Sequence, residues 1–153
     1  MEQLGWGQII LAMATRFIPV WIALVVTYVL SVTFKRRLGL YGKLYDSPVG
    51  MIGFGLVMFW VFTAVFADQI ITHDPLEQMS GMKNALPGMP LKGGEAGAFA
   101  HYLLGGDNLA RDVFSRVVMG ARAVLSIAPA ATLFAFMMGI MLGLPAGYFG
   151  GKL

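Results

Sequence analysis

The sequence predicts an all-α integral membrane protein with about three transmembrane helices and an external amphipathic helix. Hydrophobic residues make up 58% of the 153 residues and charged residues only 12%, whereas a soluble domain has about 25% charged residues. The mean hydropathy is +0.73. Long apolar runs alternate with polar segments, and one of those segments is dense in paired charges. These observations exclude an ordinary globular domain.

Three apolar runs are long enough to cross a bilayer as helices, which takes about 20 residues. They cover residues 17–34, 49–71 and 123–149. The first run is short enough to suggest a signal peptide, but its positive cluster at 35–37 follows the apolar residues. A signal peptide carries its positive charge in front of them. We therefore interpret the first run as a retained anchor.

The charges of the two connectors predict the topology. Residues 35–48 carry four basic residues and one acidic residue, a net charge of +3, whereas 72–122 carry five of each, a net charge of zero. The positive-inside rule places 35–48 in the cytoplasm, and the N-terminus and 72–122 outside. The chain then divides into an N-terminal anchor with its cytoplasmic connector, 1–48, and a transmembrane part with a large external loop, 49–153.

The external loop has two parts. Residues 80–98 contain five Gly and two Pro and show no periodicity, which predicts an irregular loop. From about Asp107 the spacing changes: Asp107 and Arg111 are four residues apart, as are Asp112 and Arg116. On a helix each pair would lie on one face with the acid first, the better order for an ion pair.

The same segment carries apolar residues at helical spacing. We expect an amphipathic helix capped by Asp107, bent at Gly120, and lying at the membrane surface. Its predicted apolar ridge consists of Leu109, Val113 and Val117, with Phe114 and Val118 beside it.

The third apolar run carries small residues every fourth position. Small side chains at this spacing allow another helix backbone to approach closely. Two interpretations stay open, generic helix packing within one protein and a moving interface between subunits. This small-residue stripe consists of Ala131, Ala135, Gly139, Gly143 and Gly147.

No catalytic site is predicted. The chain has no cysteine, which excludes disulfides and thiolate chemistry, and it lacks a glycine-rich phosphate loop and a Ser/His/Asp arrangement. His73 and His101 with Asp74 suggest a metal site, but isolated loop histidines are far more often solvated. We predict no cofactor, no metal and no enzyme activity. The net charge of +3 is interpreted as topology, not as nucleic-acid binding.

Residues 103–122, LLGGDNLARDVFSRVVMGAR, followed by SIAPAATLFAFMMGIMLGLPAGYFGG, resemble the inner-membrane permease subunit of bacterial ABC importers. The most similar branch is the C-type permease of the dipeptide, oligopeptide and nickel importers, over roughly residues 45–151. Two positions depart from the pattern, Gly106 in place of Thr and Ala110 in place of Gly. An Ala at that position favours a regular helix rather than a left-handed turn. The matching positions are Asp107, Arg111, Asp112, Ser115, Arg116, Gly120, Ala121, Arg122 and 147–151.

The resemblance implies part of a transmembrane permease subunit that imports peptides or similar small solutes by ATP-driven alternating access. Its implied partners are a second permease subunit, ATP-binding subunits, a periplasmic or extracellular substrate-binding protein and the lipid of the bacterial inner membrane, which it would cross several times. In the family further spans and an E-A-A loop follow, so the chain corresponds to the N-terminal portion of a permease. The helix predicted at 17–34 is additional to the commonest members.

The charged motif then has two possible roles. It is part of an external gate where the substrate-binding protein docks, or it is a solvated helix whose charges only hold it at the interface. The motif residues are Asp107, Arg111, Asp112, Ser115, Arg116 and Arg122. A different class of function is also open, a small stand-alone structural or regulatory membrane protein that packs on a partner through the small-residue stripe.

Overall fold

The computed structural model describes residues 2–34, 42–91 and 99–150. Helices dominate these ranges, and the only strands there form one two-stranded antiparallel ribbon, so the predicted all-α class is confirmed. The helices are α1 (Trp6–Arg16), α2 (Ile18–Thr33), a short 3₁₀ helix (Gly42–Asp46), α3 (Pro48–Val65), α4 (Ala67–Ile70) and α5 (Val113–Tyr148), and the strands are β1 (Met89–Pro90) and β2 (His101–Tyr102).

Two of these helices, α3 and α5, are long and apolar enough to cross a membrane. The pair α1 and α2 gives a third candidate if the two helices, bent by 56°, are one span. Helix α1 was not predicted, and Pro19 explains its separation from α2. Proline has no N–H to continue the hydrogen-bond ladder, and its ring clashes with the carbonyl four residues earlier.

Helices α2 and α3 form an antiparallel hairpin held by aromatic contacts. Near one end of the hairpin the rings of Phe17 and Phe59 stack with centroids 5.4 Å apart. Near the other end the ring of Tyr28 meets that of Phe54 at 5.9 Å, and its hydroxyl donates to the Met51 carbonyl. A Cβ at Gly55 would lie 2.7 Å from that hydroxyl, so the position of the Tyr28 ring against α3 requires the glycine.

One end of the hairpin carries a polar layer that we call the cap, residues 2–5, 66–91 and 99–112. A buried core joins the cap to the helices: Ile9, Val20, Ala67, Ile70, Leu103, Phe114 and Val118. The N-terminal segment belongs to this layer, because the Leu4 amide donates to the Gly88 carbonyl at 2.9 Å and the Gln3 amide group to the Pro87 carbonyl at 3.0 Å. Gly88 has φ +75° and an added Cβ would lie 2.8 Å from the Leu4 oxygen.

The N-terminus and the loop after α3 therefore lie at the same end of the hairpin, as the predicted topology requires. The short helix Gly42–Asp46 lies at the other end, where the Tyr45 ring contacts Tyr28 at 6.0 Å. The basic cluster at 35–37 is outside the described residues. Which side of the membrane the cap faces stays a prediction.

Helix α5 corrects the expected division of the last third of the chain. The predicted amphipathic helix and the third span are one helix of 36 residues that passes through Gly120 without interruption. The residues from Ala123 onward form a compact unit of their own. Within it the small-residue stripe is exposed, and a Cβ added at Gly139, Gly143 or Gly147 would meet nothing within 4 Å.

Candidate functional site

The segment from Asp107 to Arg111 is a tight turn, not the start of a helix. The Asp107 carboxylate accepts the amide hydrogens of Leu109 at 2.8 Å and Arg111 at 3.0 Å. Ala110 has φ +59°, the left-handed conformation that a regular helix excludes. The expectation that Ala110 indicates helix was therefore wrong, and the local hydrogen bonds of Asp107 hold the residue in this conformation.

Two arginines share the carboxylate of Asp107. Arg111 donates from Nε at 2.9 Å, and Arg116 donates from a terminal nitrogen at 2.6 Å. The predicted Asp107–Arg111 pair is present, but it closes a turn. The predicted Asp112–Arg116 pair was wrong, since Arg116 reaches back to Asp107. We call Asp107, Arg111 and Arg116 the charged triad, which has a formal charge of +1 and is partly exposed, with 40% of the Arg116 side chain accessible.

Asp112, not Asp107, caps α5. Its two carboxylate oxygens accept the amide hydrogens of Phe114 and Ser115, each at 3.2 Å. An aspartate at the N-cap satisfies amides that have no partner inside the helix. The helix begins at Val113 because the left-handed residue and an antiparallel bridge between Gly106 and Asp112 occupy the preceding backbone.

This later start also changes the buried face of α5. Phe114, Val118 and Ala121 are buried together with Ser115. The predicted ridge does not form on one helix, since Leu109 lies in the turn before α5 begins. Leu109 and Val117 are 45% and 49% exposed. The spacing of the apolar residues was compatible with either face of the helix. In the structure the face that contains Phe114 packs into the core that joins the cap to the helices.

Asp112 also lies at the centre of a buried polar cluster that joins the cap to α5. Its carboxylate accepts hydrogen bonds from the hydroxyls of Ser115 and Thr72, the latter at 2.9 Å. The Ser115 hydroxyl oxygen in turn accepts the amide hydrogens of Thr72 and His73, each at 3.1 Å. Asp112 and Ser115 are both fully buried. The segment after α4 is therefore fixed to the first turn of α5 by side chains from both.

His73 belongs to this cluster, so the expectation that it is solvated was wrong. Its Nε2 donates to the Phe99 carbonyl at 2.7 Å, and its Nδ1 lies 3.1 Å from the Thr72 hydroxyl and 3.4 Å from Asp112 Oδ2. The ring also meets that of Tyr102 edge-on at 5.0 Å.

The metal site suggested by the two histidines does not form in the described part of the chain. Within it no group of three or more His, Cys, Asp or Glu side chains is arranged to hold a metal ion. His101 Nε2 donates to the Glu2 carbonyl at 3.2 Å, and the Asp74 carboxylate accepts the Leu76 amide hydrogen at 2.8 Å.

The surroundings of the cluster shift the pKa values of Asp112 and Tyr102. Burial opposes ionisation of Asp112, but hydrogen bonds from His73, Ser115 and Thr72 favour the charged form, and the net effect lowers its pKa. Burial, with the Asp112 charge nearby, raises the pKa of Tyr102 to about 12. The Tyr102 hydroxyl therefore stays protonated at neutral pH, and it donates to the Ala110 carbonyl at 3.1 Å.

The turn at Asp107 should loosen in acid. The amide of Arg111, chiefly, with its guanidinium and the amide of Leu109, lowers the pKa of Asp107 from 3.8 to about 2. A carboxyl group with a lower pKa in the folded state contributes stability that is complete above its unfolded pKa and is lost as pH falls through its folded pKa. We expect amide protection factors at 107–111 to be constant near pH 7 and to fall between about pH 5 and pH 2.

Asp107→Asn gives the control for this prediction. The variant should protect the same amides less at pH 7, and its protection should depend much less on pH in the acid range. Wild-type protection that is equal at pH 5 and pH 2 would contradict the assignment.

A second ion pair closes the other side of the site. Arg122 donates through both terminal nitrogens to Asp68, at 2.9 and 3.1 Å, and through Nε to the Ala64 carbonyl at 3.0 Å. These bonds tie α5 to the junction of α3 and α4. The sequence pattern placed Arg122 in the charged motif but did not pair it with Asp68, because a separation of 54 positions leaves no periodic signal.

Comparison with curated proteins identifies relatives of the chain. It is 38% identical over 119 residues to the di/tripeptide transport system permease protein DppC of Pseudomonas aeruginosa, which covers 77% of this chain and 38% of that protein. It is 30% identical over 111 residues to the dipeptide transport system permease protein DppC of Bacillus subtilis, covering 72% of this chain and 31% of the relative. The chain is a homologue of the DppC-type transport permeases.

The similarity extends to a permease with another substrate in its name. A glutathione transport system permease protein of Pectobacterium atrosepticum is 46% identical over 57 residues, which is 37% of this chain and 19% of that protein. The chain thus spans well under half the length of the DppC-type relatives it matches. No family model matches it, and no solved structure matches it.

The structure separates the six residues of the charged motif by their burial and partners. Asp112 and Ser115 are buried and join the cap to α5. The charged triad is partly exposed, with Arg116 the most accessible of its three side chains, and Arg122 pairs with Asp68. Only the partly exposed residues are accessible to a partner in this arrangement.

Proposed function

We propose that the chain is part of the transmembrane permease subunit of an ABC importer for peptides or similar small solutes. The observation that carries the proposal is 38% identity over 119 residues to a di/tripeptide transport permease. Transport would proceed by alternating access, driven by ATP hydrolysis on separate subunits. The chain itself would form part of the path for the solute and change conformation during transport, and it would catalyse no reaction.

The proposed partners are a second permease subunit, ATP-binding subunits and a substrate-binding protein outside the membrane. The protein would lie in the bacterial inner membrane as a multi-pass subunit, with the cap on the outer side. The near-neutral charge of 72–122, compared with +3 for 35–48, supports this orientation. The rival proposal of a stand-alone membrane protein is not favoured, because the curated relatives are transport permeases.

We assign the charged triad to the contact with the substrate-binding protein. It presents two arginines around one carboxylate and therefore an excess positive charge at the surface of the cap. Exposed charges contribute little to stability, but at the edge of an interface they steer association and fix orientation. The buried cluster below holds the turn in place, so the triad has a defined position rather than that of a mobile loop.

A chimeric permease tests this function. Residues 1–153 would replace the corresponding N-terminal region of a DppC-type relative, and the chimera would be expressed with that relative's second permease, ATP-binding subunits and binding protein. Uptake of a labelled dipeptide is the expected result. A chimera that reaches the membrane at the level of the parent protein and binds its partner subunits, yet transports nothing, would contradict the proposal.

The same chimera tests the triad. Arg116→Gln should raise the concentration of binding protein needed for half-maximal uptake, because it removes an exposed charge. Lys83→Gln is a matched control, since it removes the same charge from an exposed position of the cap outside the triad. Equal effects of the two variants would show that only the net charge matters and would remove the triad as a docking site.

The small-residue stripe gives a separate prediction about the second permease. We propose that it packs against a helix of that subunit, because its glycines leave space for a backbone to approach. Gly143→Leu should reduce recovery of the assembled pair in detergent far more than Leu142→Ala, which changes a neighbouring residue that is 68% exposed. Equal recovery in both variants would show that the stripe is not the interface.

A further inference from the structure

Helix α1 has two chemically different faces. One face packs into the cap, where Ile9 is only 2% exposed and contributes to the same core as Ile70 of α4 and Leu103. Arg16, the only charged residue of α1, places its guanidinium 5.1 Å from the centre of the Phe99 ring in the cap. The cap therefore covers this face and engages its only charge.

The opposite face is apolar and uncovered. Trp6, Ile10 and Leu11 are 68%, 64% and 66% exposed, and they lie within an arc of about 140° on a helix of 3.6 residues per turn. Gly7 and Ala14 fill the rest of this arc. The polar side chains of Gln8 and Thr15 lie at its border, so no hydrogen-bonding side chain points out of its centre.

The position of α1 identifies what covers this face. At Phe17 the helix continues directly into α2, whose residues Ile18, Ile22 and Val25 are likewise at least 50% exposed and apolar. The exposed face of α1 is thus continuous with the apolar surface of α2, and the two helices together form a candidate span. At its other end, the Leu4–Gly88 hydrogen bond holds α1 against the cap.

The dimensions of the two helices set the depth. At 1.5 Å per residue α2 is about 24 Å long, shorter than the roughly 30 Å of a hydrocarbon core. With α2 along the membrane normal, α1 is inclined by 56° and adds about 9 Å of depth along its 11 residues. In this arrangement the pair is long enough to reach across the core, with α1 oblique at one boundary and Trp6 at its shallow end.

We propose that α1 is an interfacial lipid-binding helix, with Trp6, Ile10 and Leu11 at the boundary between headgroups and acyl chains. Tryptophan is enriched at this depth because its ring is apolar and its N–H is polar, and amphipathic helices bind there through a contiguous apolar face. The helix would hold the cap against the bilayer. This inference requires membrane insertion, but it does not rest on the transport function.

Tryptophan fluorescence tests the proposal on the full chain in phosphatidylcholine vesicles. The chain has three tryptophans, so Trp21→Phe with Trp60→Phe leaves Trp6 alone. Its emission should be quenched more strongly by lipid brominated near the headgroup than by lipid brominated near the chain terminus. The matched control leaves only Trp60, which lies five residues before the end of α3 and is 46% exposed. Trp60 should respond more strongly to the deep bromines than Trp6 does.

Each other outcome would overturn the proposal. Equal depth for Trp6 and Trp60 would make α1 a buried part of the span, and absence of quenching by either lipid would leave its face to water or to a protein partner. A second variant keeps the test independent of folding defects. Ile10→Asp, in the centre of the apolar arc, should reduce quenching of Trp6, whereas Thr15→Asp, at the polar border, should leave it unchanged. Loss of quenching in both variants would contradict the assigned face.

Discussion

Asp112→Ala is expected to lower the free energy of unfolding of the cap by about 3 kcal/mol, the range observed when one member of a buried charged network is removed. The carboxylate is fully buried and accepts hydrogen bonds from the side chains of Thr72 and Ser115 as well as from two amides of α5. The substitution leaves those donors without a partner in a site that water does not reach.

Amide hydrogen exchange on the chain in lipid nanodiscs measures the effect residue by residue. Protection should fall in the first turn of α5 and at Thr72 and His73, which bond to the Ser115 hydroxyl oxygen. Protection in the middle of α3 should not change, because those amides bond within the helix. Local loss of this kind distinguishes a broken cluster from general unfolding.

Asp74→Ala is the matched control, since it makes the same change in the same loop at an exposed carboxylate. It should change stability by less than about 0.5 kcal/mol, as surface substitutions usually do. Asp112→Asn should fall between the two, because an amide oxygen still caps the helix but accepts fewer of the cluster's hydrogen bonds. Equal losses in Asp112→Ala and Asp74→Ala would show that the cluster contributes no special stability.

The apolar runs predicted the helices because hydrophobicity acts over whole segments. A run of about 20 apolar residues predicts a helix surrounded by lipid, whatever side-chain contacts that helix makes. Residues 49–71 accordingly contain all of α3 except its first residue, and 123–149 lie mostly within α5. The exact bounds depended on local backbone chemistry, such as the proline that separates α1 from α2.

The charged segment shows where sequence reasoning stopped. Spacing of four residues between Asp107 and Arg111 fits a helix, but a turn brings the same two side chains together. Arg116 has a long side chain and reaches nine positions back to Asp107. Periodicity cannot separate these arrangements, because it contains no information on backbone φ or on contacts across the fold.

The burial of His73 was equally inaccessible to sequence reasoning. Its partners are the carbonyl of Phe99 and the carboxylate of Asp112, which are 26 and 39 positions away. One signal was available for the turn. The pattern that the segment resembles has Gly at position 110, and a glycine before the arginine is typical of a left-handed residue, the conformation that Ala110 adopts.

Position 106 gives the second large expected effect. Thr stands there in the pattern that the segment resembles, yet Gly106→Thr should destabilise this chain by about 3 kcal/mol, the upper end of the cost of overpacking. A Cβ at Gly106 would lie 2.1 Å from the Met82 carbonyl oxygen. Moving a backbone carbonyl aside costs more free energy than moving the end of a side chain. In addition, the Gly106 amide donates to the Ala85 carbonyl at 3.0 Å, which holds this stretch of backbone in place.

At Ala110, the second position that departs from the family pattern, a different result is expected for Ala110→Gly. It restores the other residue of the pattern and should change stability by less than about 1 kcal/mol, because relief of the left-handed alanine offsets the greater freedom of glycine in the unfolded chain. The two substitutions lie in one turn and both move the sequence toward the pattern. Their different outcomes would therefore come from local geometry, not from similarity to the family.

Thermal unfolding of single variants in detergent measures both, with Gly106→Ala and Gly120→Ala as a matched pair. An added methyl group at Gly120 meets nothing within 4 Å and should leave the stability unchanged or raise it, since alanine favours a helix over glycine by about 1 kcal/mol. At Gly106 the same methyl group meets backbone. If Gly106→Ala and Gly106→Thr unfold at the wild-type temperature, the turn must follow a different path from the one described. The close approach of the Met82 carbonyl would then not explain why position 106 is glycine.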